Sequence, residues 1–357
     1  MKIYLLLFAL FAAHARADWE HIPGTEVIGR VRLLESDGAR LYAVGNTGFY
    51  LSFDDGYTWR RRVIGRGIEG FYITAIGSGD GAVYVGTREH GVFRSDNRGN
   101  TWVHINEGLY IFDDPTWGPH HGKVEQILVT NSGMVINVAY HQGTHISQNR
   151  GDTWHSVYDE WIYSRNKERK TRDWHIGGGI FSMTEFDGYL WAVWSSTSEI
   201  IFRSPDKGET WEVLPNLKYG EIADWAVLDD RLYVAGSRGF GRWNEAEFMW
   251  EHLFRRRFRS TKRLYGDGLP ESLWLISLAV HRNRFFAGSR RHGVFMFDPH
   301  AETWRPAGLP DKPIRALVSH RGGLYVASEG GIYRANLQFV SLEGKTAVTW
   351  GAIKLER

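Results

Sequence analysis

The chain has 357 residues, 43 Lys plus Arg against 41 Asp plus Glu, a net charge of +2 and no cysteine. This composition excludes disulfides, thiolate metal sites and lipid attachment at an N-terminal Cys, and the charge balance argues against a generic nucleic-acid binder. Sixteen Trp, 16 Tyr and 19 Phe beside 41 Gly suit a large all-β domain with many tight turns.

Residues 1–17 read as a secretory signal peptide. Lys2 supplies the charged start, Ile3 to Ala13 the apolar stretch, and Ala15-Arg16-Ala17 a small-x-small cleavage site. Cleavage after Ala17 removes Lys2 and Arg16 but no acid, leaving 41 charges of each sign. No other stretch is apolar and long enough to span a membrane, so a periplasmic or secreted product is expected.

Four copies of one short segment follow: residues 52–59 (SFDDGYTW), 95–102 (SDNRGNTW), 147–154 (SQNRGDTW) and 204–211 (SPDKGETW). The shared pattern is Ser-x-Asp/Asn-x-Gly-x-Thr-Trp, and such a recurrence decides the architecture before any single residue does. Each copy has the chemistry of a tight hairpin. The Asp or Asn is expected to accept from backbone N–H groups two residues on, the Gly to take a positive φ, and the Ser to add a second internal bond. A repeated acid such as Asp54 or Asp206 is a staple rather than a catalyst.

This segment resembles the Asp-box, or BNR, repeat, and the chain is similar to the β-propellers that carry it. Around each copy the same order recurs: an apolar strand, a turn, a strand such as Leu-Tyr-Val-Ala, a glycine loop, a third strand, then the box. Four antiparallel strands make one blade. The second-strand cores lie at residues 41–44, 83–86, 135–138, 190–193, 232–235, 285–288 and 324–327. The predicted fold is therefore an all-β, seven-bladed propeller over residues 18–337. Two boxes have decayed, at 243–250 (WNEAEFMW) and 297–304 (FDPHAETW). Blade seven has three strands of its own, and Asp18 to Ile22 is expected to complete it. A competing closure uses Thr349-Trp350 in a C-terminal tail, residues 338–357, that packs on or closes the propeller.

Strand order places the boxes on one face with the first-to-second turns. The opposite face collects the second-to-third loops and the connections between blades. In Asp-box glycosidases and in propellers generally that opposite face binds ligands, so the resemblance puts the site there. The long connections, His104 to Lys123, Ser156 to Gly179 and His252 to Trp274, fall on the same side. Two of them are basic, with Arg165 to Arg172 in one and Arg255 to Arg263 in the other, and Arg88, Arg238, Arg290 and Arg291 add to that face. An anionic polysaccharide or an acidic protein surface is the partner these charges favour.

Candidate chemistry gathers at the same end. His120 and His121 are expected to enter the first strand of blade three, His141 to end its second strand, and His175 to enter blade four. Imidazoles so placed suit general acid–base work, binding of a divalent metal, or passive contacts to loops and ligands; the spacing matches no fixed metal motif, and no cofactor is expected. Arg88, Glu89, His90, Trp117, Trp174, Arg290, His292 and Glu329 are the expected ligand-binding residues, the tryptophans as stacking surfaces for sugar rings.

The Asp-box resemblance covers nearly all the mature chain but is promiscuous for function, being shared by sialidases, glucanases, sortilin-type receptors and photosystem assembly factors. No Arg-Ile-Pro segment lies near the start, and seven blades exceed the six of sialidases. The leading expectation is a monomeric, exported, non-catalytic propeller that binds an anionic glycan or acidic protein partner on its basic face. The alternative is a carbohydrate-active enzyme, a polysaccharide lyase or glycoside hydrolase, with His121, His141 and His175 as its acid–base group.

Overall fold

The predicted second strands are apolar at successive positions rather than alternate ones, and such a strand needs cover on both faces. In the computed structural model they have it: Leu41–Gly45, Ala82–Thr87 and Gly323–Ser328 are buried along their whole length. The structure describes residues 17–65, 68, 70–109, 111–114, 118–130, 133–138, 143–156, 180–194, 200–215, 222–237, 239–255, 273–298 and 303–337. Seven four-stranded antiparallel sheets form the blades of a β-propeller, with no α-helix among the described residues. The innermost strands are Leu33–Ser36, Ile73–Gly79, Val124–Thr130, Ile180–Phe186, Ile222–Leu228, Leu275–His281 and Ile314–His320. Each contacts the next, and the seventh contacts the first, so the ring closes around a channel.

The core is a series of apolar wedges between neighbouring blades. One joins Tyr233 and Phe240 of blade five to Phe285, Phe297 and Trp304 of blade six; another joins Leu34 and Leu41 of blade one to Tyr325 and Ile332 of blade seven. Burying each such side chain contributes about 2 kcal/mol. Ala17–His21 supplies the outermost strand of blade seven, running antiparallel to Gly331–Leu337 from Ala17↔Leu337 to His21↔Tyr333. The Trp19 indole N–H donates to the Ala307 carbonyl at 2.8 Å, which ties this strand to blade six as well. The N-terminal closure is thus present, and Thr349-Trp350 lies outside the described residues.

The four repeated turns share one hydrogen-bond pattern. Ser52 Oγ accepts the Gly56 N–H at 2.8 Å and donates to Asp54 Oδ1 at 2.8 Å, while Asp54 accepts the Thr58 N–H at 2.8 Å and its hydroxyl at 2.6 Å. Ser95, Ser147 and Ser204 take the N–H of Gly99, Gly151 and Gly208 in the same way. The acid's backbone partner is therefore four residues on, not two as expected. The cause is a second left-handed residue before each Gly: Asp55, Arg98, Arg150 and Lys207 have φ of 57°, 62°, 60° and 63°. Two left-handed residues in succession turn the chain back and bring the Thr within reach of the carboxylate.

A second correction concerns His120 and His121. They do not enter blade three but form part of a separate hairpin, Ile111–Asp114 paired with Gly118–His121, and blade three starts at Val124. The hairpin is tied to blade two, where the His121 N–H donates to the Glu89 carbonyl at 2.9 Å.

Candidate ligand site at the channel mouth

Blades two and six repeat a sequence that aims an arginine at the channel end away from the repeated turns. Residues 87–91 read TREHG and 289–293 read SRRHG. In each, the leading hydroxyl accepts the N–H of the His three residues on, His90 to Thr87 at 2.9 Å and His292 to Ser289 at 2.7 Å. The Arg between them donates its own N–H to the residue before an inner strand: Arg88 to Tyr72 at 2.8 Å and Arg290 to Trp274 at 2.9 Å. Arg290 then lays its guanidinium over the Trp274 ring, 4.5 Å from the centroid. Such stacking holds the cation in place without neutralising it.

Three further arginines arrive from the inner strands and their leads. In blades two to seven the inner strand bulges after its first residue, and in blade seven the extra residue, between Ile314 and Ala316, is Arg315. A bulge re-aims a side chain. Arg32 precedes the inner strand of blade one and donates to the carbonyls of Gly70 and of Ile73, the latter at 3.0 Å. Arg30 stands exposed two residues earlier. Arg30, Arg32, Arg290 and Arg315, with Trp274, Ile276 and Pro313, line a cavity of about 490 Å³.

These cations are poorly compensated. Burial, then the nearby Arg88 and Arg30 guanidinia, holds Arg32 below the usual guanidinium range. Burial and Arg30 do the same to Arg315, opposed by the carboxylate of Glu329. The Nε of Arg315 is enclosed and has no hydrogen-bond partner. Four arginines and no acid line the mouth cavity, an arrangement that favours an anion.

Below the mouth the channel continues as a cavity of about 450 Å³ that shares Arg32, Ala223, Ile276 and Arg315 with the first and adds Glu35, Glu125 and Asp224. Side chains here staple one inner strand to the next. Gln126 accepts the Met183 N–H at 2.6 Å, Asp224 accepts the Leu278 N–H at 2.7 Å, and Ser277 accepts the Leu317 N–H at 3.1 Å. Burial pushes the Asp224 carboxyl up to about 6, against the Leu278 and Trp225 amides and the Ser277 hydroxyl, which stabilise its charge.

Of the residues expected to bind ligand, Arg290 lines the mouth cavity, and Arg88 and Glu329 lie close enough for their charges to act on Arg32 and Arg315. Glu89 and His90 sit in the blade-two loop; His90 is exposed and meets the Tyr72 ring at 6.0 Å. His121 is half-buried beside Glu89 and is not among the residues lining the mouth cavity. His292 is half-buried in the blade-six loop. His141, His175, Trp117 and Trp174, with Arg238 and the basic stretches 165–172 and 256–263, lie outside the described residues. Among the described residues no group of three or more His, Asp or Glu is arranged to hold a metal ion. Arg30, Arg32 and Arg315 were missed, although their signal was visible: an arginine takes the place beside the inner strand's first apolar residue in blades one and seven, where blades five and six have Ala223 and Ile276.

No protein-family profile and no curated protein matches the chain. Among solved structures, it is similar to YCF48 from Cyanidioschyzon merolae, with a TM-score of 0.61 and 13% identity over 89% of this chain and 98% of that one. It is similar too to YCF48 bound to D1 peptide, with a TM-score of 0.61 and 14% identity over 93% and 98%. The extracellular domain of a putative one component system from B. thetaiotaomicron gives a TM-score of 0.64 and 12% identity over 92% of this chain and 41% of that one. At such identities the likeness is one of fold.

Proposed function

We propose that this chain is an exported, non-catalytic β-propeller that binds an anionic partner, an acidic glycan or an acidic protein surface, at the arginine-lined mouth of its channel. The observation that carries the reading is the cluster of Arg30, Arg32, Arg88, Arg290 and Arg315, in which no member makes an ion pair among the described residues. Like charges gathered without an ion pair are unfavourable in the empty protein and become favourable when an anion joins them. A similar propeller with a bound peptide supports the use of this scaffold for recognition. In this reading residues 1–17 are a signal peptide removed after Ala17, residues 18–337 are the binding domain, residues 338–357 pack on it, and the protein acts as a monomer. Among the described residues no helix is long and apolar enough to cross a membrane.

Chromatography of the mature chain on immobilised heparin and alginate tests this. Retention at low salt is expected, with elution at clearly lower salt after the double change Arg290→Ala and Arg315→Ala, since exposed charge attraction is screened within about 8–10 Å at moderate ionic strength. Flow-through of the unaltered chain at low salt on every acidic matrix and acidic peptide tried would refute it.

A further inference from the structure

The channel beneath the mouth carries charges of both signs that do not meet. Glu35, Glu125 and Asp224 share one cavity with Arg32 and Arg315. Glu125 is committed to Lys123, whose ammonium lies 2.7 Å away, and Asp224 to the amides of Leu278 and Trp225. Glu35 lines the lumen cavity, and its carboxylate makes no hydrogen bond or ion pair among the described residues. Arg315, on the wall of the same space, keeps its enclosed Nε unpartnered. Ala223 and Ile276 line both cavities and so form part of the wall between the mouth and the acids.

We propose that the channel takes a small zwitterion, its carboxylate among Arg30, Arg32 and Arg315, its protonated amine at Glu35, and a short methylene spacer against Ile276 and Ala223. A simple anion would satisfy the arginines but leave Glu35 facing added negative charge. A simple amine would meet Glu35 but have to pass the arginines. Only a ligand with both groups pairs both walls, and each one-charge competitor is rejected by the other wall. Cavities of about 490 and 450 Å³ fall within the range that small-ligand sites occupy. This goes beyond the mouth reading: it concerns a small molecule inside the channel and depends on Glu35, which lines the deeper cavity and not the mouth.

Calorimetric titration of the mature chain with unbranched ω-amino acids from glycine to aminohexanoate, beside alkanoates and alkylamines of matching length, tests it. At least one amino acid is expected to bind about ten-fold more tightly than either one-charge analogue. Glu35→Gln is expected to lower that amino acid to the level of the alkanoate, and Arg315→Gln to weaken the amino acid and the alkanoate alike. Glu35→Gln keeps side-chain volume, Arg315→Gln shortens a side chain that lines open cavity, and unchanged far-ultraviolet dichroism confirms the fold of both. Equal binding of amino acid and alkanoate, an undiminished preference after Glu35→Gln, or no binding up to about 10 mM overturns the proposal. Heparin and alginate retention of the unaltered chain decides the mouth reading separately, so the two fail independently.

Discussion

At the end of the channel that carries the repeated turns, arginines and acids pair across blades. Arg94 bridges Asp96 at 3.0 Å and Asp152 at 2.6 Å, Arg150 reaches Asp96 at 2.6 Å, and Asp55 meets both His320 and Arg321. At the opposite mouth, Arg30, Arg32, Arg290 and Arg315 face one cavity and none is paired among the described residues. The same residue type is therefore used for two purposes. Where charges are matched they join one blade to the next, and at the mouth they line a cavity without an ion pair among the described residues. Several acids of the turn-bearing face are thus matched by cations of that same face, whereas the described arginines lining the mouth cavity make no ion pair.

Removing a matched cation is the strongest way to sharpen this contrast. Arg203 is 9% exposed at its side chain, lies 4.6 Å over the Tyr189 ring and 5.2 Å over that of Phe248, and bonds Glu212 at 2.8 Å and Glu245 at 2.9 Å. Arg203→Ala removes the contacts that fill the blade-four to blade-five junction, and a loss of about 3 kcal/mol in urea unfolding is expected. The half-exposed glutamates regain water, which limits the cost. An unmatched cation should behave oppositely. Arg315→Met removes repulsion from Arg30 and the burden of an unpartnered Nε, so the expected change is a gain of up to about 1 kcal/mol that shrinks as salt rises. A loss comparable to that of Arg203→Ala would mean that Arg315 is a structural member and that the two ends do not differ.

Much of this arrangement was legible in the sequence. The repeated turns and the apolar second strands set the number of blades, because a motif fixed by hydrogen bonding and a strand covered on both faces leave unmistakable patterns. The Arg88 and Arg290 loops were legible for a similar reason, since a five-residue turn can be read locally. His121 was misplaced because the pairing of residues 111–114 with 118–121 is a choice between backbone partners, and both a hairpin and a first strand satisfy the local pattern. Arg32 and Arg315 were overlooked because only the bulge after Ile314, and the lead before Leu33, turn those side chains to the channel. Nor did the decayed turn of blade five announce that Arg203 would be held there, since its partners Tyr189, Glu212, Glu245 and Phe248 come from two blades.

The smallest expected effect is the most specific, because it reads the electrostatics of the lumen rather than the strength of a contact. Glu35 is open to channel water but walled by protein, and confinement, followed by the charge of Asp224, pushes its carboxyl up to about 7. The other charged groups on that cavity are Glu125, paired with Lys123, and Arg32 and Arg315. In the unfolded chain Glu35 titrates near 4.3. The folded state therefore binds the proton more tightly, and the stability this contributes is complete below the unfolded value and is lost as pH rises through about 7. Glu35→Gln removes that loss. The two chains should melt together near pH 4, and the variant should melt higher at pH 8, by a modest margin because lumen water screens the charge. Asp224, held up to about 6 by burial, adds its charge to that of Glu35 over the same range, so the difference between the chains reports the pair. Identical melting profiles across this range would show that the arginines of the mouth already balance Glu35, and the separation of charge between the two walls of the channel would then be too weak to select a ligand.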